Sequence, residues 1–161
     1  MAYFTATTRE DLPTREDLFD RSGLEFIQAM LAGEISGPPI AALMNYRMIE
    51  AEAGRCVFQG QPQFEHSNPF GAPHGGWYGT ILDTCMACAV QTLIPKGSYY
   101  TTLEYKVNIL RPIPSGTEVL AEGISQHGGR STGVARGEVR GLEDGKLYAT
   151  GSTTCIIMQK P

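Results

Sequence analysis

A single carboxylate, Asp83, is the only charged residue between His66 and Pro95. Ionised carboxylates are seldom buried unless something pairs with them or uses them. Nine residues upstream lies His74-Gly75-Gly76, at the end of a Pro/Gly-rich turn that begins at Asn68. From Trp77 to Ile94 the chain is an apolar run long enough for a buried helix rather than a strand. A helix opening at Gly75 has first-turn N–H groups with no intrahelical partner, at the positive end of the macrodipole. Glycine there lets a ligand oxygen approach the backbone closely. Such a site suits a carbonyl oxygen that becomes negative during acyl transfer. Asn68 adds a side-chain amide donor, and Asp83 can serve as general base for water or as the nucleophile itself. Burial would raise its pKa and make it a stronger base. The plainer alternatives are a structural bond from Asp83 to Thr80 or a nearby turn, His74 as a helix cap, and Asn68 as a turn residue before Pro69.

The elements that must position these residues follow from the pattern. The 161 residues suffice for one domain with its own core, and a formal net charge of -4 with no Lys/Arg cluster argues against a nucleic-acid surface. No cationic leader precedes an apolar core, and the run from Ile81 to Ile94 is too short for a membrane span. The expectation is a cytoplasmic protein. Cys85 and Cys88 form C-x-x-C, but no second pair or nearby His completes a zinc set, so Cys56, Cys85, Cys88 and Cys155 read as reduced, packed thiols. No metal is expected.

Residues 1–37 read as an extension carrying one helix, capped by Thr14 with Asp17 three residues on and stopped at Gly33. Its simplest role is packing or assembly. Strands are expected near 44–52 and 55–63, then after Pro95 across Leu103–Arg111, Thr117–Ser125, Ser131–Arg140 and Leu147–Ile157. The alternation in Leu103–Arg111 predicts a half-buried strand. Gly133, Ala135, Gly137, Ala149 and Gly151 share one sheet face and leave room for something thick, for which the uncharged helix is the obvious occupant. The fold class is therefore α+β: an antiparallel sheet of five to six strands wrapped around one long central helix, in a domain spanning 38–161.

At that point Asn68-x5-His74-Gly75-Gly76-x6-Asp83, with the 103–112 strand and Gly129-Arg130-Ser131, closely resembles hotdog-fold acyl-CoA thioesterases of the PaaI (phenylacetate-degradation) type, over roughly residues 38–158. The resemblance implies hydrolysis of an acyl-CoA thioester with no cofactor beyond the coenzyme A of the substrate. Gly75 N–H would polarise the thioester carbonyl with Asn68 assisting, and Asp83 would face Gly75 of another subunit across a dimer interface. His74 would hold the loop near the thioester. Either Thr101 or Thr102 would orient the water; spacing from Asp83 favours the first and spacing to Pro112 the second. Gly76 and the Gly129, Arg130, Ser131, Thr132 turn would contact the coenzyme, Arg130 meeting a phosphate. Dimers, or dimers of dimers forming a homotetramer, are implied. Trp77 and Tyr78 would line the acyl pocket or fill an interface. Two rivals remain: a hotdog hydratase or dehydratase, and a non-catalytic acyl-CoA-binding module.

Overall fold

The computed structural model describes residues 3–160. Its spine is α4 (Gly75–Gln91), across which one six-stranded sheet curves: β1 (Tyr46–Glu52), β2 (Arg55–Gly60), β3 (Ser98–Ile109), β4 (Val119–Gly128), β5 (Thr132–Gly141) and β6 (Leu147–Gln159). The spatial order is β1-β2-β4-β5-β6-β3, and every neighbouring pair is antiparallel. The wrapped-helix layout read from the sequence is the one observed.

The close approach of sheet to helix depends on missing side chains. A Cβ on Gly133 would collide with Val90, one on Gly137 with Met86, and one on Gly123 with the Cys85 carbonyl of the helix backbone itself. Gly123, on β4, is a position the sequence reading did not single out. Around this contact Ile81, Leu82, Cys85, Met86 and Val90 are fully buried. Close packing of this kind is what makes cores intolerant of added volume.

Three expectations change. The N-terminal segment carries two helices where one was expected: α1 (Arg15–Phe19) and α2 (Gly23–Leu31). Each has its own capping box, Thr14 with Asp17 and Ser22 with Glu25, and the second cap restarts the chain after Asp20. Gly33 then takes the left-handed conformation, φ 73°, that ends the pair. Trp77 and Tyr78 do not line the cavity that borders Asp83, and neither presents an exposed surface. Both are buried in the core, Trp77 donating Nε1–H to the Met44 carbonyl and the Tyr78 hydroxyl accepting from Ile113 N–H. And β3 is a sheet edge. Its Leu103, Tyr105 and Ile109 remain about half exposed, although the alternation had predicted one buried face.

A short helix α3 (Pro39–Leu43) connects the N-terminal segment to β1. None of the four cysteines is in a disulfide, and no helix among the described residues is long and apolar enough to cross a membrane.

Candidate active site

The approach to α4 is a loop closed on itself. His66 Nδ1 accepts from Gln63 N–H at 2.8 Å, its Nε2 donates to the Leu43 carbonyl at 2.7 Å, and its own carbonyl accepts from His74 N–H at 2.8 Å. Nothing in the sequence around His66 points to these partners; only its proximity to α3 and to the loop end reveals the role. Inside the loop Asn68 Oδ1 accepts from Phe70 N–H (2.9 Å) and Ala72 N–H (3.2 Å), an Asx turn that carries the chain round Gly71. The side-chain oxygen of Asn68 is therefore committed to the loop, which leaves its NH2 as the donor.

His74 is the N-cap. Its Nδ1 accepts from Gly76 N–H at 2.9 Å, and its carbonyl accepts from Trp77 N–H. Gly75 N–H has no acceptor among the described residues and belongs to an exposed residue. One backbone donor thus remains free at the positive end of a 17-residue helix.

Along one face of α4 the positions 75, 79 and 83 run antiparallel to β3. Ile109 lies against Gly75, the Tyr105 ring against Gly79, and Thr102 against Asp83. Continuing the alternation from Ile109 and Tyr105 would put Thr101 opposite Asp83. A bulge between Thr102 and Glu104 shifts the register by one. It turns Thr102 inward and leaves Thr101 exposed. Thr102 Oγ1 donates to Asp83 Oδ1 at 3.0 Å.

Asp83 is half-buried and has no cation beside it; Thr80 and Thr84 donate instead to the carbonyls of Gly76 and Thr80 within α4. Burial pushes its carboxyl above the ordinary carboxylate range, and the bond from Thr102 pulls partly in the opposite sense. The carboxylate borders a cavity of about 320 Å³. Next to it the cavity is lined by Thr84, Tyr100, Thr102, Tyr46 and Phe58, with the Tyr46 hydroxyl bonded to Thr84 Oγ1 at 3.0 Å.

The remaining candidates lie elsewhere. Gly129, Arg130, Ser131 and Thr132 form the β4–β5 turn, closed by Gly129 N–H to the Thr132 carbonyl and by Ile157 N–H to the Ser131 carbonyl. Gly128 at its base packs on Leu93, so the turn stands beyond the C-terminal end of α4. Arg130 is exposed and pairs with no carboxylate among the described residues. No cluster of metal-ligating side chains occurs among the described residues.

Residues 70–148 match the thioesterase superfamily. A phenylacetic acid degradation-related putative thioesterase from Ralstonia eutropha superposes with a TM-score of 0.73 at 28% identity, covering 80% of this chain and 97% of that one. The PaaI protein from the E. coli phenylacetic acid degradation operon gives 0.74 at 21% identity, covering 86% and 96%. A Streptococcus mutans protein, solved bound to acetyl-CoA, gives 0.65 at 24%, covering 72% and 90%. Among curated proteins none matches. The matched segment contains the loop end, all of α4, strands β3, β4 and β5 and only the start of β6, and the architecture shared with these structures is the hotdog fold; the chain is similar to hotdog-fold thioesterases of the PaaI type.

Proposed function

We propose that the protein hydrolyses acyl-CoA thioesters, with Asp83 as general base or nucleophile, Thr102 orienting the attack, and a Gly75 N–H polarising the thioester carbonyl. The observation that carries this reading is the Asp83–Thr102 pair: a desolvated carboxylate with no counter-cation, held by one hydroxyl at the wall of an apolar cavity. Raised basicity of that kind suits proton abstraction from water near neutral pH.

One protomer cannot assemble the whole site. Gly75 and Asp83 are eight residues apart on α4, about 12 Å at the helical rise of 1.5 Å per residue. A carbonyl carbon under attack must lie about 3 Å from both the nucleophile and the oxyanion donor. The Gly75 N–H that serves a given Asp83 therefore comes from a second copy of the chain. The unpaired β3 edge carries half-exposed Leu103, Tyr105 and Ile109, and the loop before α4 presents Phe64 and Phe70 at 88% and 94% exposure. An apolar edge strand beside exposed aromatics is a surface that association would bury. We assign the homodimer contact there; Asn68 NH2, on the same loop, would add a second donor. The β4–β5 turn with Arg130, past the far end of α4, would take the nucleotide end of coenzyme A.

The test is thiol release with Ellman's reagent across a panel of acyl-CoAs. Wild type should turn over one acyl class, and Asp83→Asn should lose about 10²- to 10⁴-fold in kcat while remaining folded. Full activity in that variant would exclude Asp83 as base or nucleophile. Coenzyme A binding with no turnover on any thioester would make the protein a binding module.

A further inference from the structure

We infer that the N-terminal segment before Pro38 is the specificity element of this protein, walling the acyl pocket and restricting it to chains of about eight to ten carbons. This rests on the thioesterase reading of Asp83 and adds to it the identity of the acyl group.

Besides the sheet residues Tyr46, Phe58, Tyr100 and Thr102, the cavity beside Asp83 has two walls of different origin. One is the face of α4 at Asp83, Thr84, Ala87, Cys88 and Gln91, positions that recur at helical spacing on a single side. The other comes from the extension: Tyr3, Leu12, Pro13, and Phe26, Ile27 and Met30 of α2. A segment that served only as packing would close onto what it covers, because protein interiors leave few voids larger than a water. This one leaves about 320 Å³, open to the only carboxylate in an otherwise uncharged helix.

The length of the helical wall bears on the occupant. From Asp83 to Gln91 is eight residues, about 12 Å along the helix. An extended chain advances about 1.3 Å per bond, as the 3.8 Å spacing over three backbone bonds shows, so roughly nine bonds span that length. That length points to a medium-length acyl chain laid along α4.

The wall is fixed in place. Ala6 N–H donates to the Gly37 carbonyl at 2.9 Å and Gly37 N–H to the Phe4 carbonyl at 2.7 Å, while Ser36 Oγ donates to the Asp11 carbonyl at 2.7 Å. A side chain on Gly37 would collide with the Tyr3 ring. At the other end Gly23 N–H donates to the Ile94 carbonyl at 2.9 Å, and Gly23 has no room for a Cβ against the Gln91 carbonyl. The start of α2 is thus seated on the end of α4, and the pocket's width follows from backbone contacts rather than from a mobile flap.

The experiment is a chain-length profile of kcat/KM from acetyl-CoA to tetradecanoyl-CoA for the full-length protein, Met30→Trp and Met30→Ala. Wild type should favour octanoyl- or decanoyl-CoA over acetyl-CoA by on the order of a hundredfold, since each buried methylene adds to binding. Met30→Trp, which fills the cavity, should cut the decanoyl-to-butanoyl ratio by about tenfold. Met30→Ala, which only removes atoms, should move the preferred length up by about two carbons, and it decides the matter if the tryptophan variant does not fold. A profile that is flat in wild type, or that neither substitution moves, overturns the inference while leaving the thioesterase reading intact. If nothing is hydrolysed, that reading fails instead. The wall is then judged by calorimetric titration of decanoyl-CoA and butanoyl-CoA into Asp83→Asn with and without Met30→Ala. An unchanged preference between the two ligands would reject it.

Discussion

The two halves of α4 are built for opposite environments. The helix start has no side chains at Gly75 and Gly76, is exposed there, and carries a backbone donor that no described residue takes up. The half from Asp83 to Gln91 lies beneath the N-terminal segment, where a half-buried carboxylate has one hydroxyl for company. A donor end that must meet a partner's substrate has to stay open. A base that must be stronger than a solvated carboxylate has to be covered. One helix satisfies both because its two ends are about 25 Å apart, far enough for the sheet edge to bare one and the extension to enclose the other.

After the loss of Asp83 itself, the largest effect that would break this division is expected at the open end. Gly75→Pro removes the one free N–H yet suits the first helical position, where proline is tolerated, and His74 already has the extended backbone, ψ 143°, that a following proline requires. Its kcat should fall about 10²- to 10³-fold with little change in melting temperature. Equal activity would mean that Gly75 N–H does not meet the carbonyl.

At the covered end the effect is smaller and carries a pH signature. Thr102→Val should lower kcat by about tenfold, whereas Thr101→Val, on the exposed face, should stay within about twofold. The Thr102 bond holds the Asp83 carboxyl down, so its loss raises that pKa further, and the acid limb of kcat/KM should move to higher pH. A limb that stays put would remove Thr102 from the site.

The covered carboxylate should also tax stability. Because burial raises the Asp83 pKa in the folded state, the native protein holds its proton at pH values where the unfolded chain has released it. Stability therefore falls as pH rises from the ordinary carboxylate range through the raised value. Asp83→Asn abolishes that loss: its melting temperature should exceed wild type at pH 7, and the difference should vanish below pH about 4. A variant that melts lower at neutral pH would contradict the desolvated base. The smallest effect is expected at the pocket wall. The Tyr3 hydroxyl is buried with no partner among the described residues, so Tyr3→Phe should leave stability unchanged or raise it by about 1 kcal/mol in thermal or urea unfolding. A clear loss would reveal a bound water or ligand oxygen at that hydroxyl.

Much of this was legible in order along the chain. An apolar run of this length, uncharged except for Asp83, reads after Pro and Gly as a buried helix, and the small residues at Gly133, Ala135 and Gly137 state that something thick lies against them, because their side-chain period in a strand is two. His74, Gly75 and Asp83 lie in one local segment, so their spacing alone placed them on one helix. What depended on distant contacts was not legible. A bulge in β3 chose Thr102 over Thr101, and one residue of register is invisible to periodicity. His66 acquired its role only when α3 brought the Leu43 carbonyl within reach. The half-exposed β3 looked like an ordinary amphipathic strand because sequence alternation does not say which strand ends a sheet. The extension, read as packing, became a pocket wall only because tertiary structure set α2 across α4 without closing the space between. The chain's local chemistry determined the helix, its donor and its base; long-range packing alone decided what encloses them.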